Sequence, residues 1–522
     1  MDGASHVVVI GAGAGGLAAA IDLAVAGHRV TVVERAAGPG GKLRTAAVAG
    51  RDIDTGPTVL TMRWVFDELF AAAGTTLEGR VRLERAEVLA RHAWPDGARL
   101  DLYADAARST EAIAEAFGAR EAEGYQRLCK QARATWETLE GPFVRAERPG
   151  FFELMRRVAP MGAVALTRFD AHRSMWRALG GYFRDPRLRQ LFGRYATYVG
   201  SSPMLAPATL NLIAHVEAVG VWRVAGGMRR LALALAELAC ERGATLRYGA
   251  PVAEILVRGG RAAGVRLDDG EVIAADAVIH NGDVSALGAG LLGEGARRAA
   301  RRTRPARRSL SALTWALVAR ADGFPLVHHN VFFSRDYRAE FAALGRGRVP
   351  DEPTVYVCAQ DRGDAPIDSG EERLLLVVNA PATGDAPDRW ATEERDRCER
   401  SVLAATAVLA RAGLVLHEIA GARTTPVELH RDFPATGGAL YGPATRGPLS
   451  SFQRAGSRSR LPGLYLAGGS THPGAGVPMA TLSGRLAAAR LRADLASIAR
   501  SRTVAISGTT STGSPRTAAS RS

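Results

Sequence analysis

A glycine-rich turn behind a buried strand is the feature that most constrains the fold of this chain. The apolar run Val7–Ile10 predicts a strand, and Gly11-Ala-Gly13-Ala-Gly15-Gly16 follows it directly. Gly11 allows a tight turn, Gly13 lets the main chain approach a pyrophosphate, and Gly16 lets the next helix pack on the strand. The N–H groups and the positive dipole end of that helix then face the phosphates. The turn therefore predicts a dinucleotide-binding α/β fold.

An acidic residue and a second glycine loop extend this site. The sequence predicts a helix over Leu17–Ala26 and a strand over His28–Val33, which ends at Glu34. The Glu34 carboxylate can accept hydrogen bonds from a ribose 2′-hydroxyl and would repel a 2′-phosphate, so NAD and FAD are better candidates than NADP. The glycines and cations of Gly38–Arg44 fit a second phosphate-contacting loop, and a simple connection between strands is the alternative.

The composition describes a large globular protein with a basic surface. The chain has 522 residues and a formal net charge of +14, carried almost wholly by arginine. This charge fits either a GC-rich genome or a surface drawn to anionic lipids, and the sequence has no basic-aromatic motif for nucleic acid. The four cysteines show no metal or disulfide spacing. Because no apolar run reaches about 18 residues, no spanning helix is predicted, and we expect a cytoplasmic protein that is peripheral to the membrane.

Apolar segments beside arginines interrupt the nucleotide-binding pattern between residues 76 and 215. Phe151–Val158 and Met161–Phe169 are such segments, and Pro160 separates them. A helix of this kind can lie in a membrane interface, with its apolar face in the acyl region and its arginines on the headgroups. Packing of the same helix on the protein's own core is the alternative.

Glycine turns and strands return after residue 216. A helix through Arg242 is predicted, followed by strands at Ala244–Tyr248, Val252–Arg258 and Arg261–Leu267. The block 291–454 predicts an antiparallel sheet that walls a substrate site, with strands at Leu310–Val318, Val327–Phe333, Thr354–Cys358 and Leu374–Val378.

The carboxy-terminal strand and turn carry a resemblance to a known family. The segment reads Leu464-Tyr-Leu-Ala-Gly-Gly-Ser-Thr-His472-Pro473-Gly474-Ala-Gly476-Val477-Pro478, and a helix from about Ala480 to Ile498 is predicted after it. Together with the first turn it resembles the two-dinucleotide-binding flavoproteins, and its Thr-His-Pro-Gly-Ala-Gly run resembles the bacterial carotenoid desaturases. The resemblance implies an α/β fold with a Rossmann-like FAD-binding domain, and an α+β substrate domain that contains an antiparallel sheet.

Three further stretches resemble one branch of that family, the 1-hydroxycarotenoid 3,4-desaturases of phototrophic bacteria: Gly56–Asp67, Gly437–Gly442 and Gly476–Ala480. The resemblance implies an FAD-dependent enzyme that introduces a C3–C4 double bond into an acyclic 1-hydroxycarotenoid and passes electrons to quinone or oxygen. Phytoene desaturation is the close alternative. A soluble flavin amine oxidase and a non-catalytic carrier of polyprenyl or carotenoid chains are more distant ones.

The resemblance also implies which residues hold the cofactor. Contacts to FAD are expected from Gly11, Gly13, Ala14, Gly15, Gly16, Glu34, Gly41, Lys42, Leu43, Val252, Gly469, Val477 and Met479. Where the superfamily often has an acid against the ribityl chain, this chain has Gly469-Ser470, so backbone N–H groups and hydroxyls must serve instead.

Three histidines near the expected site each have two alternative roles. His472 is a candidate for a catalytic role, and the preferred alternative is that it orders its loop by hydrogen bonding. His328 and His329 resemble a strand that lines the substrate domain, or they are surface residues on a hairpin. No metal site is expected.

The returning nucleotide-fold pattern predicts a discontinuous domain organisation. Residues 1–75, 216–290 and 455–498 are expected to form the FAD-binding domain, and residues 76–215 and 291–454 the substrate and membrane-associating domain. Residues 499–522 are rich in Ser, Thr, Gly and Arg, which predicts a disordered tail.

Overall fold

A computed structural model of the protein describes residues 4–161, 169–363, 370–386, 388, 390 and 393–508. The strands are β1 (His6–Ile10), β2 (Arg29–Val33), β3 (Thr45–Val48), β4 (Arg51–Asp54), β5 (Leu83–Arg85), β6 (Val88–Ala93), β7 (Arg99–Tyr103), β8 (Trp222–Val224), β9 (Thr245–Arg247), β10 (Val252–Arg258), β11 (Arg261–Leu267), β12 (Val272–Ala274), β13 (Ala277–His280), β14 (Ser311–Asp322), β15 (His329–Phe332), β16 (Val355–Ala359), β17 (Glu372–Ala380), β18 (Val415–Thr424) and β19 (Leu464–Leu466).

The α-helices are α1 (Ala14–Val25), α2 (Trp64–Ala72), α3 (Ala106–Phe117), α4 (Ala119–Leu139), α5 (Phe151–Val158), α6 (Met175–Leu179), α7 (Pro186–Gly193), α8 (Ile213–Val219), α9 (Arg229–Glu241), α10 (Val284–Gly288), α11 (Tyr337–Gly345), α12 (Glu393–Arg411), α13 (Pro426–Asp432) and α14 (Val477–Gly508). Shorter helical turns are Glu140–Val144, Ala159–Met161, Arg194–Val199, Ala208–Leu212, Glu294–Ala299, Pro305–Arg307 and Ser450–Gln453.

A five-stranded parallel sheet forms the nucleotide-binding part of the fold. Its order is β19-β13-β1-β2-β9, so the first strand of the chain is central and the last strand is at one edge. Val7, Val8 and Val9 are fully buried, as expected for a strand covered on both faces. The last helix, α14, packs on α1 so closely that a Cβ atom on Gly484 would lie 1.8 Å from the Gly15 oxygen. The predicted α/β fold class is confirmed.

A second, seven-stranded sheet has the order β18-β14-β17-β16-β15-β6-β7. The four strands predicted for residues 291–454 are confirmed as β14 to β17, and their pairing is antiparallel. The sequence did not predict β6 and β7, which come from the segment 76–215 and extend this sheet through a parallel pairing of β6 with β15. The predicted division of the chain into domains stays a prediction.

Two predicted segments lie partly outside the described residues. Of Met161–Phe169, residues 162–168 are not described. Of the predicted disordered tail, residues 509–522 are not described, whereas 499–508 continue the helix α14, which differs from the prediction. Among the described helices, none combines the length and the apolar character that a membrane crossing requires.

Candidate cofactor and substrate site

The glycine turn after β1 has the close backbone contacts that its sequence predicts. Ala14, Gly15 and Gly16 open α1, and Gly11 N donates to Val33 O at 2.8 Å. A Cβ atom on Gly16 would lie 2.1 Å from the Gly11 oxygen, so no side chain fits there. No side chain of the described residues caps the start of α1. The first N–H groups of the helix are therefore available to an anionic ligand.

Asn281 is a residue of this turn that the sequence reasoning did not assign. It follows β13, and its Nδ2 donates to the Gly11 oxygen at 3.1 Å. A Cβ atom on Gly15 would lie 2.6 Å from the Asn281 Oδ1, so the asparagine packs directly on the glycines. The available signal was the short apolar run Ala277–Ile279 just before it, because parallel strands end at the same edge of a sheet.

Glu34 lies at the end of β2 beside the turn. Its carboxylate accepts hydrogen bonds from Ala12 N at 2.7 Å and from Ala36 N at 2.9 Å, and the side chain is buried. Its main-chain oxygen accepts a hydrogen bond from Ala250 N at 2.8 Å, two residues before β10 begins at Val252. The structure thus brings Glu34 and Val252 to the same end of the parallel sheet, where an adenosine ribose and base would lie.

The second glycine loop packs against the first turn. Gly40 N donates to Ala12 O at 2.9 Å, and a Cβ atom on Gly41 would lie 3.4 Å from the Gly13 Cα. Leu43 is buried in the core beneath the loop, whereas Lys42 points away from it and donates through Nζ to Leu440 O. Burial lowers the pKa of Lys42 to about 8, although the Asp283 carboxylate opposes the shift.

The carboxy-terminal turn approaches the first turn from the other side. Gly469 leaves open space where a side chain would be, and its oxygen accepts a hydrogen bond from Arg454 Nη1 at 2.8 Å. Val477 and Met479 begin α14. Arg454 is buried and also donates to Tyr441 O, and the sequence reasoning missed it because arginines occur throughout this chain.

A large cavity meets the cofactor end of the fold. Its volume is about 1050 Å³, and most of the side chains in its wall are apolar. Lys42, Val477 and Met479 are part of that wall. The glycine cradle, the uncapped start of α1 and the open space at Gly469 fit an extended dinucleotide whose far end reaches this cavity. The residues present therefore fit FAD, with the pyrophosphate at the first turn and the flavin beside the cavity.

His472 is held away from the cavity. Its Nε2 makes a hydrogen bond with Ala146 O at 2.9 Å, its ring meets the Phe143 ring edge-on at 4.8 Å, and its neighbour Pro473 lines the cavity instead. Burial lowers the pKa of His472 to about 4, so the ring is neutral near pH 7. These contacts favour the loop-ordering role over a catalytic one.

His328 and His329 lie inside the substrate region rather than on its surface. His329 begins β15 and is buried, and its Nδ1 lies 2.7 Å from the Tyr356 Oη. His328, His329 and Cys358 place ligand atoms within 4.8 Å of one another, a spacing that a metal ion could use. Burial and the nearby positive charge of Arg223 together lower the pKa of His328 to about 4, and the same charge disfavours a cation. The expectation of no metal site stays a prediction.

The fold and the two-turn cofactor site define a class of protein, the flavin-dependent oxidoreductases. The chain belongs to the family of flavin containing amine oxidoreductases, whose model matches residues 14–492. The expected cofactor, FAD, is confirmed by this membership.

More specific relatives lie within the carotenoid enzymes. The chain is 54% identical to a hydroxyneurosporene desaturase of Rubrivivax gelatinosus, and the match covers 98% of each chain. It is 46% identical to a hydroxyneurosporene desaturase of Cereibacter sphaeroides, over 95% of this chain and 99% of the relative. A solved oxidoreductase from Methanosarcina mazei shares the fold, with a TM-score of 0.58 and 18% identity over 92% of this chain and 99% of the other. The predicted resemblance to carotenoid desaturases is confirmed.

Proposed function

We propose that this protein is an FAD-dependent desaturase that introduces the C3–C4 double bond into an acyclic 1-hydroxycarotenoid of the hydroxyneurosporene type. The observation that carries the proposal is the apolar cavity of about 1050 Å³ that meets the cofactor end of the fold. A long hydrocarbon needs such a wall, and the near full-length relatives bear the name of this activity.

The protein's part in the reaction is to position the substrate and to exclude water. FAD, when bound, would supply the two-electron oxidant for removal of a hydride from one of the two carbons, and the proton from the other carbon would pass to a weak base or water. The antiparallel sheet contributes Thr314, Val377, Tyr356 and Val331 to the cavity wall in one row across four neighbouring strands. This row presents a flat wall along which an extended polyene can lie. Quinone or oxygen would take up the two electrons.

An exposed apolar patch beside the cavity supports association with a membrane. Phe152 is 86% exposed, Phe151 is 43% exposed, and Leu205 and Leu449 are about half exposed. Phe151 and Leu449 also line the cavity. On the other face of α5, Leu154 and Val158 are buried in a small core, so the helix is both packed and amphipathic. We infer that α5 docks on the bilayer and that the substrate enters the cavity from it.

Replacing Phe152 with aspartate tests this docking. Burial of a phenylalanine ring contributes roughly 2 kcal/mol, so Phe152→Asp should weaken binding to anionic liposomes by tenfold or more in a co-sedimentation assay. Leu403→Asp is the matched control, because it adds the same negative charge and Leu403 is 70% exposed on α12, away from the cavity wall. Equal losses for both variants, or no loss for Phe152→Asp, would contradict the docking role of α5.

The function itself is tested with the purified holoprotein in liposomes. Three substrates are supplied separately, namely 1-hydroxyneurosporene, phytoene and a primary amine, and the products are resolved by chromatography with quinone or oxygen present. The proposal predicts one new conjugated double bond in the hydroxylated carotenoid. New conjugation in phytoene alone would favour the phytoene desaturase alternative, and oxidation of the amine alone would favour an amine oxidase.

A further inference from the structure

A hydrogen-bonded network of three side chains, Thr58, Tyr356 and His329, interrupts the apolar wall of the cavity. The Tyr356 hydroxyl lies 2.7 Å from the Thr58 hydroxyl and 2.7 Å from the His329 Nδ1. Thr58 and Tyr356 line the cavity and are half-buried, whereas His329 is buried behind them. This network therefore presents two hydroxyl groups to a ligand in this part of the cavity.

The Thr58–Tyr356–His329 network is uncharged and has unused hydrogen-bonding capacity. Burial lowers the pKa of His329 well below its ordinary value, aided by the positive charge of Arg194, and burial raises the pKa of Tyr356. Both side chains are neutral near pH 7. The His329 Nε2 has no hydrogen-bond partner within the described part of the chain. A neutral network of this kind suits a neutral ligand group that can both donate and accept a hydrogen bond.

A second polar group makes this part of the cavity unfavourable for hydrocarbon. Arg194, Tyr198 and Glu217 also line it, and Tyr198 Oη donates to Glu217 Oε1 at 2.7 Å. The Arg194 guanidinium is buried, stands 4.9 Å from the centre of the Tyr198 ring, and has an Nε with no acceptor among the described residues. A purely apolar end of a substrate placed here would leave these polar groups without compensation, which costs free energy.

Thr58 connects this network to the cofactor end of the fold. It lies shortly after Thr55, whose N donates to Arg44 O at 2.9 Å, and Gly56, where a Cβ atom would lie 1.8 Å from the Lys42 oxygen. The segment that carries Thr58 is thus packed on the second glycine loop. In a 1-hydroxycarotenoid the hydroxyl-bearing C1 is two carbon–carbon bonds from C3. A group that binds this hydroxyl must therefore lie beside the reacting bond, as a side chain next to the cofactor loop does.

We propose that the hydroxyls of Thr58 and Tyr356 bind the C1 hydroxyl of the substrate, with His329 as the positioning residue behind Tyr356, and that this contact selects hydroxylated carotenoids. The inference rests on the proposed function and names its specificity-determining residues. A site that hydrogen-bonds a substrate hydroxyl rejects the analogue that lacks it, because the polar groups of the site are then left unpaired.

The test compares two substrates in liposomes with the FAD-loaded protein. These are 1-hydroxyneurosporene and its 1,2-dihydro analogue without the hydroxyl, and the quantity measured is the ratio of their kcat/KM values. The proposal predicts that Tyr356→Phe lowers this ratio about tenfold, mainly through slower turnover of the hydroxylated substrate, and that Thr58→Val also lowers it. Tyr125→Phe is the matched control, because it removes a tyrosine hydroxyl buried outside the cavity wall and should leave the ratio unchanged.

The outcomes separate this inference from the proposed function. Flavin content and thermal melting identify a variant that fails to fold, and Thr58→Val then provides the answer in place of Tyr356→Phe. An unchanged ratio in folded, flavin-loaded variants would overturn the hydroxyl-binding role while the desaturase function stands. If the unmodified protein does not desaturate 1-hydroxyneurosporene at all, the proposed function fails, and this inference fails with it.

Discussion

The two ends of the site are built in different ways. At the cofactor end, backbone geometry makes the shape, since Gly15 and Gly16 leave no room for side chains and Gly11 has a φ of +100°. At the substrate end, side chains from distant segments make the shape. Thr58 and Tyr356, for example, form a hydrogen bond although 298 positions separate them in the sequence. The first end can hold the same group in many proteins. We expect the second end to tolerate single side-chain substitutions with less disturbance of the fold.

This difference predicts that substitutions at the cofactor end are the more damaging. A Cβ atom in Gly16→Ala would lie 2.1 Å from the Gly11 oxygen, so β1 and α1 must move apart. We expect a loss of about 3 kcal/mol or more in the free energy of unfolding and a protein purified without flavin. Gly345→Ala is the control, because Gly345 in α11 has no atom within 4 Å of such a Cβ position. A flavin-loaded Gly16→Ala protein with unchanged melting would contradict the close packing of this turn.

A smaller effect is expected from Glu34→Gln, which removes a charge but keeps the size of the side chain. Hydrogen bonds to a charged group contribute roughly 1.5–3 kcal/mol each, so the affinity for FAD should fall by about ten- to a hundredfold. A flavin-binding titration of the apoprotein measures this. Glu123→Gln, on the exposed side of α4, should bind FAD normally. Unaltered affinity in Glu34→Gln would show that the carboxylate serves only the main-chain contacts to Ala12 and Ala36.

A pH-dependent effect of similar or smaller size tests whether His472 only orders its loop. The folded pKa of about 4 is below the ordinary value of 6.5, because burial favours the neutral ring. As the pH falls, the His472 ring is therefore protonated in the unfolded protein before it is protonated in the folded one. The stability that His472 contributes is present above pH 6.5 and is lost as the pH falls towards 4. Between pH 6.5 and pH 4, the free energy of unfolding of His472→Gln should fall by up to about 3 kcal/mol less than that of the unmodified protein.

Denaturant titrations at several pH values measure this difference. His172→Gln is the control, because the His172 side chain is 82% exposed. If His472→Gln keeps the full pH dependence, burial does not shift the titration of this ring. If it stops turnover while retaining flavin and stability, the loop-ordering role is wrong and a catalytic one is required.

The arrangement of the expected cofactor end could be predicted from the sequence because its features are local, whereas the individual contacts to FAD stay predictions. The turn Gly11–Gly16, Glu34 and the loop Gly40–Leu43 each follow a strand within a few residues, so their spacing indicates their chemistry. Asn281 and Arg454 were not assigned, because one amide and one arginine have no distinctive spacing.

The substrate end could not be predicted in the same way. His329 and Tyr356 become neighbours only through the antiparallel pairing of β15 with β16, and Thr58 reaches them only by tertiary packing. The strands β6 and β7 pair with each other, and β6 joins the large sheet only through β15, which is more than 200 residues away in the sequence.

The most direct test of the account is an anaerobic titration of the purified protein with 1-hydroxyneurosporene in liposomes, followed through the visible absorbance of the bound flavin. The account predicts that the flavin is bleached, that one double bond forms for each flavin reduced, and that the absorbance returns when quinone or oxygen is added. A protein purified without flavin, or a bound flavin that keeps its absorbance with this substrate but is bleached by an amine, would contradict it.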